Sequence, residues 1–445
     1  MLNTINELIE QKKYLQLREE LSQLNSADIA ALFEDLSSEE IVKIFRLLPK
    51  NMAAEIFSYL PIEEQQNIIN LLTTKEAAII IDNLFADDAA DLMEEMPSGI
   101  VKKILSQTDP ETRRDINSLL KYPEDSAGSI MTVEFLELKE NLTVEQALNV
   151  IRKDGINKEN INYCYVLDLE RKILGVVSLR KLLFSDPEEI IRNIMHENVI
   201  TISTMTDQEE VSHMFQKYDF TVMPVVDSES RLVGIITVDD VVDIMQQEAT
   251  EDIEKMAAIM PTDKPYMKTG IFESWKKRIP WLLLLMISAT FTSRIIQHYE
   301  EALAAYVILT SYIPMFMDTG GNAGGQSSVM VIRAISLGEV KFNDLFKIIW
   351  KELRIALMAG ITLACVNFVK VLVLDRVTVT IAIIVSLTLL FTVIFAKLIG
   401  CTLPILAKKI GFDPAVMSSP FITTIVDALA LIIYFAIASN MLSIT

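Results

Sequence analysis

Two hydrophobic rhythms and then a loss of rhythm divide this chain. Leu36, Leu48, Leu60, Leu72, Leu84 and Met96 recur every 12 residues, and Pro49, Pro61 and Pro97 follow three of them. Twelve residues hold one short amphipathic helix and one turn. The pattern therefore predicts an all-α superhelical stack over residues 1–128. A longer repeat of about 60 residues then opens at Ile130-Met131 and again at Ile194-Met195. Each copy passes a helix start (Leu142-Thr143, Met205-Thr206). Each closes on strand, acidic turn and strand, VLDLERKILGVVS from Val166 and VVDSESRLVGIIT from Val225. The order β, α, β, β, α, given twice, predicts two α/β units at 129–192 and 193–250, packed face to face. A polar helix from Met245 to about Ala258, the stretch PTDKPYMKTG and an amphipathic entry helix ending at Lys276–Arg278 make a connecting region at 251–275.

From residue 276 to 445 the polar phase of the pattern disappears. Ile279–Ile296 is one apolar run. Ala302–Met317 is a second, resuming after a glycine-rich break as Val329–Ile335. Ile355–Leu374, Val377–Ala396 and Ala415–Met441 follow. With about 20 residues needed to cross hydrocarbon, these predict five membrane spans at approximately 279–298, 302–336, 348–374, 377–407 and 414–441. The expected fold class is thus a multidomain membrane protein: a helical N domain, an α/β pair and a five-helix bundle.

Charge sharpens the division. The chain of 445 residues has a net charge of −20 with a mean hydropathy of +0.34. Residues from Lys276 onward hold 14 Lys+Arg and 9 Asp+Glu, leaving 26 basic against 51 acidic residues before them. Such an acidic body repels a phosphate backbone, so no nucleic-acid partner is expected, and a single soluble enzyme domain is excluded. Lys276, Lys277, Arg278, Lys341, Lys347, Lys351, Arg354, Lys408 and Lys409 collect on one side of the five spans. That asymmetry predicts a cytoplasmic N-terminus and an external C-terminus. The opening MLNTINELIEQKK has no apolar core, so no cleaved leader is expected. Cys164, Cys365 and Cys401, like the three histidines, are too scattered for a zinc site or a disulfide framework.

Two features carry candidate chemistry. PMFMDTGGNAGGQSS (Pro314–Ser328) removes side chains at Gly320, Gly321, Gly324 and Gly325 in mid-span and adds Asp318, Asn322 and Gln326. Polar groups within a membrane are usually functional, so this segment is expected to line a pore, with close helix packing as the alternative. Asp427 is the single charge of the last run. An isolated carboxylate there is a cation site or the partner of Lys397 or Arg333. Oxygen donors without His or Cys favour Mg²⁺ or Ca²⁺. Mg²⁺ keeps its water shell, so few protein charges can hold it, and a two-fold axis would bring two copies of Asp427 together.

The two α/β units resemble a tandem pair of CBS domains. GIITVDD (Gly234–Asp240) matches that family's nucleotide-ribose signature, whereas GVVSLRK (Gly175–Lys181) has Lys181 in place of the final acid. Over its whole length the chain resembles the MgtE family of magnesium channels. The likeness rests on KYPEDSAGSIM (Lys121–Met131), the CBS pair, RIPWL (Arg278–Leu282), DTGGNAGGQS (Asp318–Ser327) and DPAVMSSPFITTIVD (Asp413–Asp427). The resemblance implies a homodimer in the cytoplasmic membrane that is not an enzyme, with Mg²⁺ as cargo and ATP as the candidate nucleotide. It implies pore residues Asp427, Ser419, Thr423, Asp318, Asn322, Gly321 and Gly325. Ser419 stands where some relatives have Asn. The implied Mg²⁺-sensing acids are Glu55, Asp87, Asp91, Asp207, Glu209, Asp219, Asp240, Asp243, Glu248, Glu251 and Asp252, and the nucleotide contacts are Ser178 and Arg180. The competing readings are a carrier or exporter of another divalent cation (Mn²⁺, Co²⁺), a CBS-regulated receptor and a nucleotide-regulated intramembrane enzyme. The last lacks any acid/base or Ser/Lys constellation in its spans.

Overall fold

A computed structural model describes Leu8, Gln11 and residues 13–33, 36–262, 264, 266–300, 304 and 306–442. The leader expectation at 1–13 falls mostly outside these residues, as does the expected start of the second span at 302–305. The described chain forms two compact units, Met1–Ile244 and Met245–Thr445.

The 12-residue rhythm becomes nine helices among the described residues: α1 (Tyr14–Leu21), α2 (Ser26–Phe33), α3 (Ser38–Phe45), α4 (Lys50–Ser58), α5 (Ile62–Leu71), α6 (Thr74–Ile81), α7 (Ala86–Glu94), α8 (Ser98–Leu105) and α9 (Pro110–Leu119). From α2 to α9 each helix packs on the next but one, the signature of a superhelical stack. Phe33, Phe45 and Phe57, 12 residues apart, form an edge-to-face ladder with centroids 5.9 and 6.1 Å apart. Capping boxes at Ser37/Glu40 and Thr73/Glu76 set the starts of α3 and α6.

Each α/β unit has a three-stranded mixed sheet. In the first, β1 (Phe135–Leu138) runs parallel to β2 (Asn160–Leu167) across α10 (Val144–Asp154), and β3 (Ile173–Ser178) returns antiparallel. Short helices α11 (Leu179–Leu183) and α12 (Ile191–Ile194) follow. The second repeats the plan with β4 (Ile202–Ser203), α13 (Gln208–Tyr218), β5 (Val222–Val226) and β6 (Leu232–Thr237). Phe135, Tyr165 and Leu167 of the first sheet share one core cluster with Val222, Leu232 and Ile235 of the second. The face-to-face pairing rests on that shared core.

Helix α14 (Val238–Met256) starts earlier than the expected Met245 and runs through the 250/251 boundary without a break. No Pro or Gly interrupts VDDVVDIMQQEATEDIEKM, so a change of composition alone does not end the helix. The entry helix likewise fuses with the first span as α15 (Ile271–His298), with Pro280 inside it.

The membrane unit continues with α16 (Ile313–Ser336), α17 (Leu345–Val373), α18 (Val379–Lys409) and α19 (Ser419–Leu442). Among the described residues four segments are long and apolar enough to cross a bilayer: Ile271–His298, Phe342–Val373, Val379–Lys409 and Pro414–Leu442. The fifth, α16, is polar along one face but packs against both α18 and α19. Leu283, Met286, Ile287 and Phe291 of α15 are exposed, as lipid-facing residues are.

The expected glycine-rich break is not there: α16 is one continuous helix through all four glycines. The reason is packing. A Cβ at Gly320 would meet Thr392 and Val426 at 2.8 Å, and one at Gly324 would meet Ile422 at 2.7 Å. At the α16–α18 crossing a Cβ on Gly400 would collide with the Gly324 carbonyl oxygen. Backbone cannot yield as a flexible side chain can. Gly400→Val should therefore lower the melting temperature of the membrane unit in detergent by several degrees, overpacking typically costing about 1–3 kcal/mol. Gly270→Ala, with nothing within 4 Å of its Cβ, serves as the neutral control; equal melting of both variants would contradict the packing account.

Candidate metal centres

Two groups of carboxylates stand out, one in each unit. In the membrane unit α19 carries Ser419, Thr423 and Asp427 at i, i+4 and i+8, so one face of the helix presents all three. Thr423 Oγ1 donates to the Ser419 carbonyl at 2.7 Å. Gly321 and Gly325 of α16 abut this face: their Cβ atoms would fall 2.9 Å from Thr423 Cγ2 and 2.8 Å from Ser419 Oγ. The two glycines are thus buried in helix packing. Asp318, Asn322 and Gln326 form a separate exposed stripe on α16, where Asn322 Nδ2 donates to Asp318 Oδ1 at 3.2 Å.

Asp427 is half-buried, and its Oδ1 is buried without a hydrogen-bond partner among the described residues. Asp318 lies near enough to act on it electrostatically. Neither expected ion-pair partner reaches it. Buried Lys397 donates to Ser327 Oγ at 3.3 Å, and Ser327 donates to Glu352 Oε2 at 2.7 Å. That chain of contacts satisfies one buried cation and leaves Asp427 alone. A lone, partly dehydrated carboxylate on the same helix face as Thr423 and Ser419 suits a hydrated hard cation.

At the other end of this unit, Lys255 of α14 holds Glu251 at 2.5 Å and Asp413 at 2.6 Å. Asp252 accepts from Ser336 Oγ at 3.3 Å, and Ser418 Oγ donates to the Met256 carbonyl at 2.8 Å. Two of the expected sensing acids are thereby engaged by groups of this chain. Glu248 is half-buried on the same helix.

In the first unit the structure gathers Asp87 and Asp91 of α7 with Asp240 at the start of α14. It adds four acids that sequence reasoning missed, Asp88, Glu134, Glu159 and Asp239. The doublets Asp87-Asp88 and Asp239-Asp240 were the available signal. Burial, reinforced by neighbouring acids, lifts Asp88 to about 6, Asp91 to about 7 and Glu159 to about 8, and holds Asp87 well above the usual range. Asp91 itself reaches solvent, but it sits in a crowded acidic recess that withdraws it from bulk water. Burial raises Asp240 to about 6 although Thr237 Oγ1 donates to it at 2.6 Å. Glu159 Oε2 is buried and has no hydrogen-bond partner among the described residues.

Glu55 lines the neighbouring cleft of about 1400 Å³ together with Asp88 and Glu134. Asp243 is exposed one turn beyond Asp240. Asp207, Glu209 and Asp219 belong elsewhere, at the two ends of α13. Asp207 caps the helix by accepting from the Glu209 N–H at 2.9 Å, Glu209 approaches His213 at 3.8 Å, and Asp219 is left-handed at φ 53°. Ser178 caps α11, accepting the Lys181 N–H at 3.2 Å, with Arg180 exposed beside it. Among the described residues no three His, Cys, Asp or Glu side chains converge on one point as ligands of a bare ion.

Three family models match the chain: an intracellular N domain of MgtE over 24–125, CBS domains over 127–187 and 191–247, and a divalent cation transporter domain, MgtE, over 313–437. The magnesium transporter MgtE of Thermus thermophilus is 40% identical over 334 residues, covering 75% of this chain and 74% of that one. The chain belongs to the MgtE family of divalent cation transporters. The magnesium transporter MgtE of Bacillus subtilis is 34% identical, covering 78% of this chain and 76% of its own length. Among solved structures, the cytosolic domain of the Mg²⁺ channel MgtE in complex with ATP is 38% identical with a TM-score of 0.53. It covers 55% of this chain and 100% of that one. The soluble part of a magnesium transporter is 30% identical, also at a TM-score of 0.53, covering 56% of this chain and 98% of that one. This family member is therefore a multi-pass membrane protein with a helical N domain and a CBS pair.

The raised carboxylates set a pH dependence. Each is favoured in its protonated form by the folded arrangement. That stabilisation is present below the ordinary values of 3.8 and 4.5 and is lost as pH rises through about 6 to 8. Without divalent cations, the melting transition of the first unit should fall as pH rises from 5 to 8, and millimolar Mg²⁺ should restore it most at pH 8. A transition independent of pH, or one that rises with it, would contradict the clustering.

Proposed function

We propose that this chain is a homodimeric Mg²⁺ channel of the cytoplasmic membrane, closed by cytosolic Mg²⁺. Its N-terminus is cytoplasmic and its C-terminus outside. The observation that carries the reading is the unpartnered Asp427 carboxylate on the hydroxyl-bearing face of α19, closely backed by the glycines of α16. Asp427, with Thr423 and Ser419 one and two turns before it, holds the hydrated ion, and Asp318, Asn322 and Gln326 offer polar groups along its path. In a dimer the two Asp427 carboxylates share one ion.

The gate reads the acids of the cytosolic unit. When Mg²⁺ is scarce, the recess formed by Asp87, Asp88, Asp91, Glu134, Glu159 and Asp240 is strained by its own charge. Unit charges 4 Å apart interact by about 4 kcal/mol at an effective dielectric of 20, so neutralising a few such pairs exceeds what a two-state gate requires. Helix α14 is the natural transmitter. It carries Asp239, Asp240 and Asp243 near its start and Glu251, Asp252 and Lys255 near its end. Residues 1–128, 129–192, 193–250 and 251–275 then serve as sensor, CBS pair and connector to the membrane domain at 276–445. Nucleotide at Ser178 and Arg180 is a second input, favoured by the ATP bound to the 38%-identical cytosolic structure.

Purified protein in liposomes tests the function. Mg²⁺ should enter down its gradient, and the flux should fall steeply as Mg²⁺ on the cytosolic-domain side is raised through the millimolar range. Neutralising Asp88, Asp91 and Asp240 together should abolish that fall while keeping flux. No Mg²⁺ flux at any concentration would reject the channel, and flux insensitive to cytosolic-side Mg²⁺ would reject the gate.

A further inference from the structure

A second built feature of the membrane unit lies away from Asp427, at the end of the bundle where α16 stops, α17 begins and α18 stops. A crevice of about 380 Å³ opens there between α18 and the 336–344 turn. Its floor is apolar: Ile335, Val340, Phe342 and Ile405. Its rim has three ammonium groups, Lys341, Lys408 and Lys409. None of the three is ion-paired among the described residues. Asp344 is held by Lys347 at 2.8 Å and also attracts Lys341, and with Glu339 it leaves the rim net positive. Lys409 Nζ stands 3.9 Å from the Phe342 ring centroid, folded over the apolar wall.

The surroundings fix the depth. Leu337, Phe346, Ile410 and Phe412 are exposed large apolar side chains beside these lysines, at the terminal turns of membrane helices. Apolar floor, exposed apolar flanks and cationic rim together describe the boundary between acyl chains and headgroups. We infer that this crevice seats an anionic phospholipid. Its acyl chain lies against Ile335, Val340 and Ile405, and its phosphate is held by Lys408 and Lys409 with Lys341. Charge complementarity selects an anionic headgroup over a zwitterionic one, and the crevice selects a lipid over a soluble anion. The inference does not depend on which ion the protein carries, nor on how it is gated.

Native mass spectrometry of the full chain, released from detergent after incubation with phosphatidylglycerol or phosphatidylcholine of the same acyl chains, tests it. Wild type should retain phosphatidylglycerol preferentially. Replacing Lys341, Lys408 and Lys409 with Gln should reduce that retention by about tenfold or more. Val340→Trp, which fills the crevice and keeps the lysines, should lose retention equally and serves where the triple variant does not fold. Soluble glycerol 3-phosphate should not compete. Equal retention of the two lipids, unchanged retention in a folded variant, or full competition by glycerol 3-phosphate would overturn the site.

Discussion

The membrane unit depends on how closely α16 can approach its neighbours. Gly324 and Gly400 bring two backbones together where even one methyl group would collide, and Gly321 and Gly325 let α19 lay Thr423 and Ser419 directly on α16. Lipid tails are as apolar as leucine side chains, so in a bilayer such small-residue contacts supply what the hydrophobic effect supplies in water. Because α16 is anchored on that side, the azimuth of α19 is fixed, and with it the placement of Asp427. The same close fit keeps the backbone of α16 helical and fully hydrogen-bonded, as hydrocarbon requires. The groups proposed to hold the ion are therefore side chains presented by regular helices, with the glycines setting their position.

Charge is handled in opposite ways in the two units. Buried Lys397 reaches Ser327, which is bonded to Glu352, and Lys255 holds Glu251 and Asp413, so these two inward cations have counterparts within the chain. The recess around Asp87 and Asp240 has no such ion pair among the described residues, and burial, reinforced by neighbouring acids, makes its members hold protons toward neutral pH. Unpaired acids gathered in this way attract cations, which is what the proposed sensor requires and a structural ion pair would lack.

Much of this was legible in the sequence. The 12-residue spacing of Leu36 to Met96 became the helical stack, and the repeat from Ile130 and Ile194 became two sheets with the same plan. Periodicity reports which face of an element is buried, and in these regions burial decides the structure. What escaped was tertiary. The glycines of α16 read as a break because intrinsic propensity disfavours them in helices, and only the α18 and α19 partners show why the helix persists. The continuity of α14 through residue 250 was hidden by a change of composition that leaves the backbone unaffected. Glu134 and Glu159, on the segments before β1 and β2, are unremarkable along the chain and become part of the recess only through the fold. Asp427 was visible because its run is otherwise uncharged, but its isolation required seeing Lys397 directed to Ser327.

In the proposed channel one carboxylate per chain, that of Asp427, holds the ion. The most direct measurement is Mg²⁺ flux through Asp427→Asn in liposomes, alongside its melting temperature and oligomeric state. The substitution keeps the side chain's shape and removes only its charge. Flux should fall to background while the protein stays folded and assembled. Flux at the wild-type level in a folded Asp427→Asn protein would contradict it.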